Sequence, residues 1–148
     1  MKKKYFFFDI DGTLTDNATK KYVPSALEAL KKLQDNGHFV AIATGRAHYK
    51  ALGAMHDCGL HNMVCCGGGG LVIDDVLVRN TPLDLDKAKA IVKQAEENNI
   101  PILLMLDDSI RCYSKNDDFR RTVGERKEPT EYVIDPTLDY EKLDAIYK

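Results

Sequence analysis

Three short apolar runs alternate with two helix-like stretches over the first 66 residues, and few folds accommodate this alternation. The apolar runs predict three strands, at residues 5–8, 39–43 and 63–66. Pro24 opens the first helical stretch and Asn36-Gly37 ends it, whereas Gly59 ends the second. Strand, helix, strand, helix, strand is typical of a doubly wound parallel sheet, so we predict an α/β fold. The run at 5–8 has no polar alternation, and we therefore expect a strand that is buried on both faces.

The pattern changes after the glycine run 67–70. Two apolar triplets flank Asp74-Asp75, which predicts a tight hairpin, and Asp84 or Asp86 can cap a following helix. The rest of the chain predicts a hairpin over 102–113, a strand at 132–134 and a last helix from Asp139. We place a boundary near residue 80, which gives an N-terminal unit of residues 1–80 and a mixed α+β unit of residues 81–148.

The composition is typical of a globular chain, and it has no excess of basic residues that would bind a polyanion. Its 148 residues are 44% hydrophobic and 30% charged, with a formal net charge of -2. This balance excludes a polybasic surface, so we expect neither a nucleic-acid nor a membrane partner. No run reaches the ~20 apolar residues of a membrane-spanning helix. We interpret the four cysteines as reduced thiols and expect a cytoplasmic protein; they are Cys58, Cys65, Cys66 and Cys112.

The motif Asp9-Ile10-Asp11-Gly12-Thr13-Leu14-Thr15 directly follows the first predicted strand. Residues two apart in an extended chain point to the same side, so Asp9 and Asp11 can both face the crevice at the strand's carboxyl end. Two neighbouring carboxylates repel each other, and a hard divalent cation is the usual compensation. Gly12 allows a sharp turn that leaves an N–H group pointing at an anion. An isolated Asp-x-Asp is more often a solvated turn, but this context favours a functional site.

A second motif, Thr44-Gly45-Arg46, follows the second predicted strand. A hydroxyl group beside N–H groups at a helix N-terminus is a natural seat for phosphate. Thr44 also fits an ordinary helix N-cap, since Thr caps helices routinely. The Asp-x-Asp motif at the neighbouring strand end favours phosphate binding by Thr44, Gly45 and Arg46.

These two motifs resemble signatures of the haloacid dehalogenase-like (HAD) phosphatases. Residues 9–14 are similar to the first signature, and Thr44-Gly45-Arg46 resembles the second signature of the Cof-type sugar-phosphatase branch. The resemblance implies that Asp9 attacks phosphorus and that Asp11 is the general acid/base. It implies Mg²⁺ held by the Asp9 carboxylate and the Asp11 backbone carbonyl, with Gly12 at the phosphate. The expected activity is hydrolysis of a small phosphorylated substrate through an aspartyl-phosphate, on a HAD-like Rossmannoid core followed by an α+β cap.

The resemblance also implies a later Lys and a later acidic pair, and two interpretations of their place stay open. In the first, residues 1–80 are a partial core and 81–148 part of a cap, so that the chain is truncated and catalytically silent unless something completes it. In the second, the chain is a compact capless phosphatase in which Lys87 or Lys89 supplies the cation and Asp107 and Asp108 hold the metal. The turn-like sequence 107–109 and the polar helix side that carries both lysines favour the cap.

The resemblance has a consequence for association. In the family's strand order the first strand is central, so a partial core leaves residues 5–8 as an apolar edge. Such edges promote pairing with another chain. We therefore expect a homodimer or a partner that covers this edge.

Overall fold

The computed structural model describes residues 2–148, which divide into two compact units. One unit ends at Asn80 and the other is Thr81–Lys148. The regular elements of the first unit are β1 Tyr5–Phe8, α1 Pro24–Asp35, β2 Phe39–Ala43, α2 His48–Asp57, β3 Met63–Cys65, β4 Gly70–Ile73 and β5 Val76–Asn80. A 3-10 turn at Cys66–Gly68 lies between β3 and β4.

The five strands of the first unit form one sheet in the order β1-β2-β3-β4-β5. β1, β2 and β3 run parallel, and β4 and β5 are antiparallel to their neighbours. The helical connections allow the parallel pairing, whereas β4 and β5 are joined by a two-residue hairpin at Asp74 and Asp75, whose φ angles are 47° and 65°. The α/β class and this hairpin, both predicted from the sequence, are confirmed.

The loop that leaves β1 is anchored in the same core as the helices. Ile10 and Leu14 are each 1% exposed and pack in the cluster that contains Leu30 of α1 and Met55 of α2. Burying an aliphatic side chain of this size contributes about 1.5–3 kcal/mol. The Ile10 carbonyl also accepts hydrogen bonds from the N–H groups of residues 13–15 and from a threonine hydroxyl. The loop that carries the Asp-x-Asp motif is therefore held firmly on the sheet.

Strand β1 does not have the buried position expected for it. It lies at an edge of the sheet with β2 as its one neighbour, and Tyr5 and Phe7 are 65% and 52% exposed. Phe8, on the opposite face, packs against the core. The expectation of burial on both faces is wrong, because Tyr5 and Phe7 stay more than half exposed although both rings lie near Phe39, with ring centroids 5.4 and 6.0 Å apart. The apolar edge expected at residues 5–8 is present.

The second unit is built on a longer helix and a small sheet. Its elements are α3 Leu85–Glu97, β6 Arg111–Ser114, α4 Asp118–Val123 and β7 Glu131–Ile134. β6 and β7 form a parallel pair. Asp84 is the N-cap of α3 and accepts a hydrogen bond from the Lys87 N–H at 3.1 Å, which decides between the two caps that the sequence allowed. Among the described residues, no helix has both the length and the apolar character that crossing a membrane requires.

Two predictions for this unit are wrong in detail. The hairpin over 102–113 is reduced to one antiparallel bridge between Leu104 and Tyr113, because the backbone of Met105 pairs with Tyr147 and Lys148 instead. The last helix from Asp139 is only a 3-10 turn, Tyr140–Lys142. The chain beyond it is extended, since the Ile146 side chain is buried and its carbonyl accepts the Leu83 N–H at 2.8 Å.

Candidate active site

The two sequence motifs lie at the carboxyl ends of adjacent parallel strands. Asp9 directly follows β1 and Thr44 directly follows β2, with Phe8 paired with Ile42 in the ladder. In open α/β sheets this edge is where ligands bind. The register therefore brings together residues that are 35 positions apart in sequence, which is what a shared site requires.

An ion pair joins the two motifs directly. Arg46 Nη2 donates to both carboxylate oxygens of Asp11, at 2.9 and 2.8 Å. The side chains are 30% and 53% exposed, so the pair lies in an open crevice rather than in the core. The Arg46 guanidinium fixes the Asp11 carboxylate and places a positive charge beside the strand ends.

Thr44 is held by its backbone and shapes the loop with its hydroxyl. Its N–H donates to the Val64 carbonyl at 2.9 Å, and its Oγ1 accepts the Arg46 N–H at 3.2 Å. The side chain is buried, at 9% exposure. The N-cap of α2 is Ala47, so the alternative interpretation of Thr44 as that helix's N-cap is wrong. Gly45 is exposed, and an added Cβ there would meet nothing within 4 Å.

Gly12 is required by both backbone conformation and space. Its φ is +80°, and a Cβ at this position would lie 2.8 Å from the Asn17 Oδ1 atom. L-residues adopt such a conformation only at a cost of about 1–2 kcal/mol. The motif therefore turns sharply after Asp11, as the sequence predicted, and packs against a side chain, Asn17, that sequence reasoning did not single out.

Asp9 presents an exposed carboxylate at the strand end. It makes no hydrogen bond or ion pair with another residue in the range 2–148, whereas the neighbouring Asp11 is held by Arg46. Within that same range no three His, Cys, Asp or Glu side chains form a metal cluster. The oxygen donors at hand, the Asp9 carboxylate and the backbone beside it, suit Mg²⁺, which binds through one or two carboxylates and keeps several waters.

Comparison with known proteins matches almost the entire chain to one family. The family model of haloacid dehalogenase-like hydrolases matches residues 6–148. The chain belongs to this family. It is 27% identical over 147 residues to YkrA of Bacillus subtilis strain 168, which is named as a candidate phosphatase, and covers 53% of that protein. It is 26% identical over 113 residues to the pyridoxal phosphate phosphatase YbhA of Escherichia coli K12, and covers 41% of it.

Solved structures of HAD proteins share this fold. A hypothetical protein from Geobacillus kaustophilus HTA426 superposes with a TM-score of 0.68 at 28% identity, over 98% of this chain and 56% of that one. The HAD subclass IIB sugar phosphatase BT4131 gives the same TM-score at 21% identity, which supports the fold alone. The chain spans about half the length of the curated relatives it matches.

Asp107, the metal ligand of the compact interpretation, is engaged within its own unit. Its carboxylate accepts hydrogen bonds from the Ser109 hydroxyl, from Arg111 Nη2 at 2.6 Å and from the Tyr113 hydroxyl at 3.0 Å. Burial raises the pKa of Tyr113, and the hydrogen bond to Asp107 raises it further. Contacts of this kind hold a turn together.

The two lysines of the compact interpretation also have partners within their own unit. Lys87 Nζ lies 3.2 Å from the Asp84 carboxylate on the same helix and is 82% exposed. Lys89 Nζ donates to the Glu141 carbonyl at 2.6 Å. Both contacts are within Thr81–Lys148.

The glycine-rich turn after β3 contacts the Thr44–Arg46 loop through its backbone. The Cys66 N–H donates to the Arg46 carbonyl at 2.8 Å, and the Gly67 N–H to the Thr44 carbonyl at 3.4 Å. Sequence reasoning did not predict this contact. The signal available was its position, since it follows the third parallel strand at the same edge of the sheet.

Proposed function

We propose that this chain carries the nucleophile half of a Mg²⁺-dependent phosphatase that hydrolyses small phosphomonoesters through an aspartyl-phosphate. The observation that supports it best is the Arg46–Asp11 ion pair, which joins two separate phosphatase-like motifs at one strand edge. Two relatives are named as phosphatases of small phosphorylated molecules, pyridoxal phosphate and phosphoglycolate. We extend that substrate class to this chain.

The proposed reaction assigns a different task to each carboxylate. Asp9, exposed and not engaged by the described chain, attacks phosphorus and takes the phosphoryl group. Asp11, held by Arg46, protonates the leaving oxygen and then accepts a proton from the water that hydrolyses the aspartyl-phosphate. The Thr44 hydroxyl and the N–H groups of Gly12 and Gly45 orient the phosphate oxygens. Mg²⁺, held by Asp9 and the Asp11 carbonyl, would neutralise charge between the phosphate and the nucleophile.

We further propose that the unit ending at Asn80 is the N-terminal half of the HAD core and that Thr81–Lys148 is part of its cap. The local contacts of Asp107 and of the two α3 lysines support the second assignment. None of the four cysteines in the described range forms a disulfide, and we propose a cytoplasmic location on that ground. The exposed β1 edge supports the proposal that a second copy or another chain pairs with it.

A generic phosphatase assay tests this function. The protein is incubated with para-nitrophenyl phosphate with and without Mg²⁺, beside the variants Asp9→Asn and Asp35→Asn. Asp35 is a matched control, because it is an exposed carboxylate paired only with Lys31 on the same helix. We expect turnover that needs Mg²⁺, is lost in Asp9→Asn and is kept in Asp35→Asn. Turnover that persists in Asp9→Asn contradicts the mechanism.

A second function, association without catalysis, is favoured by the exposed aromatic face of Tyr5 and Phe7. In that case the parent protein has no Mg²⁺-dependent turnover, and it self-associates or binds a partner through β1. The same assay separates the two functions, because Mg²⁺-dependent turnover is expected of the first alone whereas association through β1 is expected of both.

A further inference from the structure

Cys65 and Cys66 are adjacent in sequence, and their sulfur atoms lie on the same side of the chain. The two Sγ atoms are 3.9 Å apart, with the Cys66 thiol directed at the Cys65 sulfur. In a regular strand, neighbouring side chains point to opposite faces. Here β3 ends at Cys65, and Cys66 has a φ of +54°, a left-handed conformation that brings its side chain back beside that of Cys65.

Gly70 provides the space that both sulfurs occupy. A Cβ atom at this position would lie 2.3 Å from Cys65 Sγ and 3.4 Å from Cys66 Sγ. The Cys65 side chain is fully buried, whereas Cys66 is partly exposed. The pair therefore combines one accessible sulfur that can meet a small reagent with one protected sulfur directly behind it.

We propose that Cys65 and Cys66 form a reversible modification site that closes to a vicinal disulfide on reaction with a small disulfide, RSSR. The Cys66 thiolate attacks one sulfur of RSSR, and the released RS⁻ takes up the proton that Cys66 lost. The Cys65 sulfur then attacks Cys66 Sγ and expels the second RS⁻, which takes up the Cys65 proton. The protein dithiol loses two electrons and two protons, and RSSR becomes two RSH.

The covalent geometry favours a labile product. Adjacent Cα atoms are about 3.8 Å apart across a trans peptide. Ordinary disulfides span about 4.4–6.8 Å between Cα atoms, so a vicinal bridge is strained. Strained disulfides are reduced more readily than structural ones, which makes the bridge suited to reversible modification.

Closing the bridge must disturb the Thr44–Arg46 loop. The sulfurs have to approach from 3.9 Å to about 2.05 Å, which shifts Cys66. The Cys66 N–H is bonded to the Arg46 carbonyl at 2.8 Å, and the Gly67 N–H to the Thr44 carbonyl. The disulfide itself is independent of the proposed function, whereas a loss of phosphatase activity on oxidation rests on it.

Mass spectrometry of the reduced protein treated with glutathione disulfide tests the site. The wild type should lose the mass of two hydrogens in the tryptic peptide Ala51–Arg79 and retain no glutathione. Cys66→Ser should not oxidise, and Cys65→Ala should keep one glutathione on Cys66, because no sulfur is left to expel it. Cys58→Ser is the matched control in the same peptide and should behave as the wild type, since burial raises the pKa of the Cys58 thiol to about 11.

Three outcomes overturn the proposal: a stable glutathione adduct on Cys66 in the wild type, a bridge that includes Cys58, or no reaction while the urea-unfolded protein oxidises. Amide hydrogen exchange tests the link to the loop without an activity assay. The N–H groups of Cys66 and Gly67 should exchange up to about tenfold faster in the oxidised protein. Unchanged exchange at both positions contradicts the proposed effect of the disulfide on the Thr44–Arg46 loop. Whether the disulfide forms is then decided by the mass measurement alone.

Discussion

At the scale of single residues, the Arg46 guanidinium connects the Asp9–Thr15 loop to the Thr44–Arg46 loop. Arg46→Lys keeps the charge but loses the planar group that contacts both Asp11 oxygens, so we expect kcat to fall by about 10²-fold. The free energy of unfolding should change by less than about 1 kcal/mol, because the pair is partly exposed. Steady-state phosphatase kinetics and urea titration measure the two quantities.

Arg79→Lys is the control for this substitution, since Arg79 is an exposed arginine at the far strand β5. This substitution should leave both kcat and the free energy of unfolding unchanged. Full activity in Arg46→Lys contradicts the positioning role of Arg46.

Substitution by alanine should have opposite effects on stability at Gly12 and at Gly53. Gly12→Ala forces an L-residue into φ +80° with its Cβ close to Asn17, so it should destabilise the protein by about 1–2 kcal/mol. Gly53 lies inside α2 with nothing within 4 Å of an added Cβ, so Gly53→Ala should stabilise by about 0.5–1 kcal/mol. Urea unfolding of the two variants checks both signs, and equal effects contradict the assignment.

The positions of the candidate site residues at strand ends could be predicted from the sequence, whereas their contacts could not. Asp9, Asp11 and Thr44 follow apolar runs, and the ends of strands are visible in the sequence. The contact of Asn17 with Gly12 and the approach of Cys66 to Arg46 depend on how loops fold back in space, which no local pattern encodes.

At the scale of elements, the stabilisation that the N-cap Asp84 gives to helix α3 should depend on pH. The Lys87 N–H, and then the Lys87 side chain, lower the pKa of Asp84 from its ordinary value of 3.8. A carboxyl whose pKa is lower in the folded state stabilises the fold above its unfolded pKa, and this stabilisation is lost as the pH falls through the folded pKa. Asp84→Ala should therefore lower the Tm at neutral pH, and the difference from wild type should shrink below pH 3.8.

Thermal unfolding followed by circular dichroism from pH 7 to pH 3 measures this difference. Asp86→Ala is the control, because Asp86 lies in the first turn of the same helix but is not its N-cap. A difference between wild type and Asp84→Ala that stays constant over the range contradicts the capping assignment.

The elements of the first unit follow their local patterns, whereas those of the second unit do so only in part. The helix over Pro24–Asp35 begins with a proline and is followed by Asn-Gly, and both signals are local. The segment around Leu104 has a strand-like composition, but its backbone pairs on one side with Tyr113 and on the other with the chain near Tyr147. Such long-range competition for hydrogen bonds explains why the predicted hairpin and last helix are shorter than expected.

At the scale of the whole molecule, the exposed β1 edge should control association. Phe7 is 52% exposed on an edge strand, and Phe7→Lys places a charge where another strand would pair. We expect the variant to sediment as a smaller species than the wild type at equal concentration. Ile91→Lys removes a similarly exposed aliphatic side chain from helix α3 and should not change the sedimentation coefficient. A wild type that stays monomeric at all concentrations contradicts this prediction.

The fold class could be predicted because strand and helix alternate in order along the chain, but catalytic competence could not. The chain spans about half the length of its curated relatives, and the proposed function rests on the Asp9 and Thr44 motifs that it carries. The step that we propose for the described residues is transfer of a phosphoryl group to Asp9.

Trapping of the phosphorylated protein tests this step directly. Asp11→Asn should accept a phosphoryl group from para-nitrophenyl phosphate, whose leaving group needs no acid, but should not activate water to remove it. After an acid quench, peptide mass spectrometry of the Mg²⁺-treated variant should find one phosphoryl group on Asp9 within residues 5–20, and hydroxylamine should remove it. Phosphorylation at another residue, or a phosphoryl group that also appears in the Asp9→Asn, Asp11→Asn double variant, contradicts the assignment of Asp9 as the nucleophile.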